Sequence, residues 1–420
     1  MDFSAVRAAL PGCLPRWSIE AGTRELYRAY TAHGLTQVAY GRRFTVGQAL
    51  RSSGGRRARR GHAPGACSGD VVSAPTHGCR GCDSCDVVQV VDLGPQPGAD
   101  CFPPVSAVGD DPRWPLELWF CRACTLVQLG PVEPPPPEPV LAIESATSLM
   151  HAATSVHDLV RDHPELSGAT VVEFDSHHGG SWFQHRLAAD CRTVTKDERT
   201  HLVVDVHGLA HRAGDRPLPG GAGRAARSGR AHGTRVPPSP PAPGRRQLDT
   251  ARHGHWSYLS LGALSRLATL LGLAVASVRQ VSLFGGSLQV MLRHTDADGG
   301  FEMADASVKL VLDDEATGGV DDPDWLGGRH AAALGSGTAL HDYLVDQKAK
   351  GRRVLGYGAP SKAPVLLDIG RVGPDLLPFT VDAAPGKHGR RIRGCGVPIH
   401  PVDDLRAAWS AAESAGCARI

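Results

Sequence analysis

Two Cys-x-x-Cys pairs constrain this chain more than any other feature. Cys79-Arg-Gly-Cys82 and Cys121-Arg-Ala-Cys124 stand roughly forty residues apart in a sequence of 420. Each pair can turn two thiolates toward one ion, and four thiolates complete a tetrahedral shell with no position left for water. Zn2+ held in this way is structural, and the segment around it folds as a small module closed over the metal. Cys85 competes as a ligand, because Cys82-x-x-Cys85 repeats the spacing. Eleven cysteines could instead signal disulfides. However, the N-terminus has no basic segment followed by a long apolar one, so a cytoplasmic, reducing location is expected, where such spacing favours metal.

The length predicts two or three domains with separate cores. A formal net charge of +2 gives no electrostatic case for a nucleic-acid partner, and no apolar run is long enough to span a membrane. Residues 1–75 read as a poorly ordered extension. Trp17–Phe44 carries one amphipathic helical pattern, with Ile19, Leu26 and Tyr30 on a common face, and Gln48–Pro75 is rich in Arg, Gly and Ala without periodicity. The cysteine module occupies residues 76–135 and is closed by the stiff proline run Pro134–Pro139. Residues 140–295 alternate helix and strand, beginning with a helix over 146–160 and the strand ATVVEF. An acidic, loop-like stretch follows to Gly328. A second α/β region covers 330–415, with a helix near 332–350 and the strands RVLGYG and LPFTVD. The fold class is therefore α/β: a small N-terminal zinc-binding module, a Rossmann-like domain that is partly degraded, and a C-terminal Rossmann-like domain.

The degradation lies at 212–247. Arg212–Arg246 holds few hydrophobic residues yet sits where a Rossmann-like sheet needs a strand, so it is expected to supply none. A surface insertion is one account. A local shift of reading frame is another, because moving the frame of Val236–Arg245 by one nucleotide permits a strand-like Phe-His-His-Leu-Leu-Pro-Leu-Leu-Val.

The wording around these features resembles a known family. CRGC, then VVDLGPQPGADCF, then WPLELWFCRACTLVQL is similar to the zinc-binding N-terminal domain of the sugar C-methyltransferases of deoxysugar biosynthesis. RVLGYGAPSKAPVLLDI and TVDAAPGKHGRRIRGCGVPIHPVDDL resemble the C-terminal domain of the same enzymes. In addition, WSIEAGTRELYRAY resembles the tail of NAD-dependent sugar epimerases, without their glycine-rich fingerprint upstream. The methyltransferase resemblance implies S-adenosylmethionine as cofactor and structural zinc on Cys79, Cys82, Cys121 and Cys124. It also implies a keto-deoxysugar carried on a nucleoside diphosphate as substrate, in the making of secondary metabolites such as antibiotics.

Site residues follow from the resemblance. VVEFDSHHGGSW takes the place of the cofactor strand: Glu173 and Gly179 match, Asp175 replaces the first glycine, and Asp197 or Glu198 would reach the ribose. A helix-strand unit is missing from the run to LVVDVHGLAH. Of the family histidines, His211, His253 and His255 are present, but Arg252 replaces a tyrosine, Gly254 a glutamate and Ile143 an aromatic hydroxyl. Removing a carbon-bound proton beside a ketone suits an imidazole, and a neighbouring donor should stabilise the enolate oxygen. His255 is expected as the base, with His211 or His253 beside it. Gly356, Tyr357, Gly358 and Lys362, with Lys387 and Arg390, are expected to hold the diphosphate. Gly285–Ser287 resembles a joint between domains. Two other readings stand beside the enzyme: a remnant that binds sugar nucleotide only, and a zinc ribbon on nucleic acid, which the near-neutral charge disfavours.

Overall fold

Alternation of apolar residues builds the first sheet. In β1 (Val87–Pro97) and β2 (Arg113–Cys121), Val90, Leu116, Leu118 and Phe120 turn to one face and are buried there. The two strands pair antiparallel, with Val87 opposite Cys121, and β3 (Val127–Leu129) follows β2 antiparallel. All three residues of β3 are buried. The computed structural model describes residues 78–99, 102–107, 109–132, 146–174, 192–193, 200–206, 208–212, 231–236, 251–281, 287–295, 305–405 and 407. All of these belong to one compact unit, Cys67–Ile420. The expected helix over 17–44 and the segment 48–75 lie outside the described residues, as do Ile143, Asp175, Gly179, Asp197 and Glu198.

The second sheet is the Rossmann-like one. After α1 (Ala146–Asp162) come β4 (Thr170–Phe174), β5 (Arg192–Thr193), β6 (Leu202–Val206) and the single turn α2 (Gly208–His211). β7 (Ala231–Val236), β8 (Ser257–Tyr258), α3 (Leu261–Thr269), β9 (Leu273–Val281) and β10 (Ser287–His294) complete the region. The strand order is β5-β4-β6-β7-β10-β9. The first four run parallel, and β10 runs against both neighbours. Every residue of β6 is buried, as expected of a parallel strand covered on both faces. Val156 of α1 packs with Val171, Leu202 and Val204 on one of those faces.

One expectation is overturned here. Residues 212–246 do supply a strand: β7 lies between β6 and β10, with His232 opposite Val203 on one side and Leu292 on the other. An interior strand is held by backbone N–H and C=O groups paired on both edges, which any residue but proline can provide. Ala231–Val236 lies in the proline-free stretch between Pro219 and Pro237. The run in which a helix-strand unit was expected to be missing lies mostly outside the described residues. Between β4 and β6 the described residues hold the two-residue β5, at the sheet edge.

β8 leaves this sheet and joins the first one. Tyr258 pairs with Val127 and Ser257 with Gln128, giving the order β1-β2-β3-β8. The acidic stretch before 328 is also not all loop. α4 (Ala306–Gly318) forms there because Val308 and Val311, three apart, bury one face in the core that holds β9 and β10. Asp305 caps its start and Gly319, at φ 70°, ends it. α5 (Pro323–Ala349) packs over β1 and leads into the last domain. That domain comprises β11 (Gly356–Tyr357), α6 (Ala363–Ile369), β12 (Thr380–Val381), β13 (Arg390–Arg391) and β14 (Pro398–His400). Its sheet order is β11-β12-β14-β13, with only β13 antiparallel. No helix among the described residues is long and apolar enough to cross a membrane.

Ion pairs join the C-terminal domain to the β1–β2 hairpin. Arg391 grips Asp111 with both terminal nitrogens, at 2.5 and 3.1 Å, and the Gly394 N–H donates to the same carboxylate at 2.7 Å. Arg113 grips Asp368 in the same bidentate way. Burial opposes the charge on Asp111, but the bonds from Arg391 and Gly394 outweigh it and hold the carboxyl below its ordinary value. Asp111→Ala should therefore cost about 3–5 kcal/mol in urea unfolding, since it strands a half-buried guanidinium. The stabilisation from Asp111 should be complete above about pH 4, its unfolded value, and disappear as pH falls through the lower folded value. Wild-type and D111A proteins converging in stability at acid pH is the expected result.

Candidate functional site: a cysteine cluster and a histidine turn

Cys79, Cys82, Cys121 and Cys124 come together with all four sulfurs within 4.8 Å of one another. Cys79 Sγ lies 3.5 Å from Cys124 Sγ, and Cys82 Sγ 3.6 Å from Cys121 Sγ. Each pair sits on a tight turn: Asp83 N–H donates to Cys79 O and Thr125 N–H to Cys121 O, with Asp83 and Thr125 both at positive φ. Gly81 packs closely on α3: a Cβ there would lie 2.7 Å from the end of the Leu267 side chain. Cys85, the competing ligand by spacing, is disulfide-bonded and is not part of the cluster.

The donor set fits zinc. Hydrogen bonds from Cys124 and Cys79 hold the Cys121 thiol far down, while donating to Cys121 pushes those two thiols up, and burial raises Cys82. A dication among the four supplies what the thiols need to lose their protons.

The first knuckle reaches directly into the histidine turn. Arg80 N–H donates to Gln128 Oε1 at 2.8 Å, and Gln128 Nε2 donates back to Gly78 O. The Arg80 guanidinium stacks 4.7 Å above the Trp256 ring and donates to Trp256 O. That carbonyl also accepts from Leu129 N–H. On the other side Trp256 N–H donates to Ala210 O at 2.7 Å, so the turn is held between the two sheets.

Of the three histidines, the turn brings two together. The rings of His211 and His255 meet edge to face with centroids 4.6 Å apart. His211 ends the turn that follows the carboxyl end of β6, in a sheet whose order reverses at β4, and open α/β sheets bind ligands along that carboxyl edge. His253 points away. Its Nε2 donates to Pro115 O, its ring is 2% exposed and its Nδ1 is buried without a hydrogen-bond partner. Burial also holds it below the ordinary histidine value. His253 thus sits against the zinc-module hairpin.

Neighbouring groups that the sequence reading passed over complete the corner. Asp205, at the end of β6, accepts from Leu209 N–H and pairs with Arg212, whose guanidinium lies 4.5 Å above Phe174 of β4. Burial raises the Asp205 carboxyl despite these partners. The acidic residue one before the end of LVVDV was the available signal. Arg252, noted only as a replacement, is buried and contacts His255 Nε2 at 3.0 Å. Glu173, half-buried one residue before the end of β4, is the described member of the expected cofactor set.

The expected diphosphate residues divide. Gly356 crosses so close to β12 that a Cβ would lie 2.7 Å from Thr380 Oγ1, and Gly358 turns at φ 91°. Tyr357 is 57% exposed, and Lys362 precedes α6. Lys387 departs from expectation: it is 8% exposed, with its ammonium on Ala359 O at 2.9 Å and Asp382 at 3.2 Å. It braces the turn from within because Asp382, which also accepts from Ala359 N–H, is the buried charge it must neutralise. Arg390 is likewise tied inward, to Phe102 O at 2.8 Å.

Cys121→Ser should lose the bound zinc. Because Arg80 and Gln128 join the knuckle to Trp256, it should also raise amide exchange across residues 251–258. Mass spectrometry of the metal content and of peptide deuteration checks both; unchanged exchange in that peptide would disconnect the two features.

Residues 79–136 match the family model described as "Putative zinc binding domain", and residues 282–410 match the C-methyltransferase C-terminal domain. C-methyltransferase NovU of Streptomyces niveus is 29% identical over 172 residues, covering 40% of this chain and 38% of NovU. The chain thus matches well under half the length of that relative. Magnesium protoporphyrin IX methyltransferase of Synechocystis PCC 6803, solved with bound SAH, is 11% identical, covering 36% of this chain and 89% of its own, with a TM-score of 0.25. The 1,6-didemethyltoxoflavin-N1-methyltransferase of Burkholderia thailandensis is 16% identical over 41% of this chain and 96% of its own, also at 0.25. Scores that low carry no argument about this chain. Residues 79–136 and 282–410 are thus similar to the zinc-binding and C-terminal domains of C-methyltransferases.

Proposed function

We propose that this protein transfers a methyl group from S-adenosylmethionine to the carbon beside a ketone, on a deoxysugar carried by a nucleoside diphosphate. The observation that carries the reading is the His211–His255 pair beyond the carboxyl end of β6, in a chain that matches the C-methyltransferase C-terminal domain. When bound, the cofactor supplies an electrophilic methyl on a sulfonium. Glu173 at the end of β4, with Asp175, Gly179 and Asp197 beyond the described residues, would hold it. The protein's own contribution is to take the carbon-bound proton and to stabilise the enolate charge, which the two imidazoles at one corner can divide between them. His253 supports the turn from behind. The zinc has no open ligand position and serves to fix the turn.

The C-terminal domain would hold the nucleotide at Gly356–Gly358 and Lys362. With Lys387 and Arg390 turned inward, Lys362 carries more of the diphosphate contact than the sequence alone implies. The in-register β7 supports an intact sheet over a remnant that binds sugar nucleotide only.

Calorimetry with S-adenosylmethionine, and methyl transfer to a thymidine-diphosphate keto-deoxyhexose, test the reading. Micromolar cofactor affinity and a methylated sugar nucleotide are expected. Nucleotide binding without cofactor binding would instead leave the remnant. Lys362→Met should weaken thymidine diphosphate by about 1.5–3 kcal/mol, the loss of one charged hydrogen bond, with cofactor affinity unchanged.

A further inference from the structure

We propose that Phe102, carried by the cysteine module, positions the turn Gly356–Lys362 of the C-terminal domain, so that the nucleotide site is completed from the module. This rests on the reading above that the turn holds nucleotide, but the contact between Phe102 and the turn follows from geometry alone. Residues 102–105 leave the module between β1 and β2 and pair with the C-terminal sheet. Arg391 N–H donates to Pro103 O at 2.9 Å and Val105 N–H to Gly389 O at 3.1 Å, with Pro104 opposite Arg390 and antiparallel to it. β13 ends the order β11-β12-β14-β13, and this segment runs along its other edge. Proline suits such a place: Pro103 contributes its carbonyl, and Pro104 offers no N–H to a further strand.

The pairing delivers Phe102 into the C-terminal core. The residue is 3% exposed and belongs to one apolar cluster with Leu344, Ala359, Leu367 and Ile392. Arg390 donates to its carbonyl at 2.8 Å, which fixes where the ring enters. Lys387 Nζ lies 5.1 Å from the centre of the ring, above its face. A cation is attracted to an aromatic face, and more strongly out of water, where Lys387 lies.

Lys387 links the ring to the turn. Its ammonium donates to Ala359 O at 2.9 Å, while Asp382, its ion-pair partner at 3.2 Å, accepts from Ala359 N–H at 2.7 Å. One ion pair thus holds both backbone groups of Ala359. Before Ala359, Gly358 N–H donates to Val381 O and Gly358 O accepts from Thr380 Oγ1. After it, Pro360 O accepts from Ala363 N–H, which closes the loop that carries Lys362. Without the ring face the ammonium would stay in the core with one group fewer to meet its charge, and its hold on Ala359 would loosen. Phe102 is therefore a positioning residue, acting through Lys387.

Phe102→Leu in the full chain tests this, because leucine keeps an apolar side chain in the core but has no ring face. Calorimetry with thymidine diphosphate, metal content and amide exchange are measured on the same protein. The variant should bind thymidine diphosphate about tenfold more weakly than wild type, keep its zinc, and exchange faster across residues 356–363. Lys387→Met should weaken binding by a similar factor, and adding Phe102→Leu to it should cost nothing further, because the one acts through the other. Wild-type affinity and exchange in Phe102→Leu overturn the proposal. So do additive losses in the double variant, which a packing defect with no route through Lys387 would give. A wild type that binds no thymidine diphosphate overturns the nucleotide reading instead, and exchange across residues 356–363 then decides by itself whether Phe102 sets the turn.

Discussion

The pairing of β3 with β8 is the contact on which the rest depends. β8 follows the histidine turn in the Rossmann-like region, yet its backbone is hydrogen-bonded into the sheet of the cysteine module. Two domains thereby share one ladder, and the turn between Arg252 and Trp256 has no freedom to move independently of either. On one side Gln128, Arg80 and the first cysteine knuckle hold it; on the other, Ala210 accepts from Trp256 N–H. A structural metal with no chemistry of its own gains a functional consequence from this arrangement. It closes the module whose edge strand carries the turn.

The same logic explains where the buried charges lie. Asp205–Arg212, Arg252–His255 and Lys387–Asp382 each place a charge out of water only where a partner and backbone N–H or C=O groups meet it. Paired and hydrogen-bonded, such groups fix local geometry more than they add stability. Asp205 directs the turn that carries His211. Arg252 meets His255 Nε2 at 3.0 Å. Lys387 braces the loop after β12 instead of reaching outward. Arg212, Arg252 and Lys387, cations that composition alone assigns to the surface, are thus parts of the framework.

Much of the architecture was legible in the sequence. Cys-x-x-Cys spacing specifies four sulfurs on one ion, because a tight turn delivers two thiols from each pair and the tetrahedron needs four. VVEF and LVVDV are short apolar runs that only a strand covered on both faces can bury, and they became β4 and β6. The histidines were identifiable as a group through the family likeness. What failed did so for definable reasons. AHGTRV has no strand-like pattern, yet it forms the interior β7, because backbone pairing on two edges substitutes for side-chain preference. Acidity hid α4, whose two buried valines suffice to dock it.

The sequence by itself determined the four-cysteine cluster, the α/β class and the group of imidazoles around the turn, since these depend on residue type and on spacing along the chain. Only the tertiary structure decided which imidazoles meet. His253 and His255 are two residues apart, and the turn between them sends one to Pro115 and the other to His211. Arg252 next to His253 in the chain contacts His255 in space. Such choices depend on which backbone group or side chain arrives from a distant strand, and no local rule carries that information.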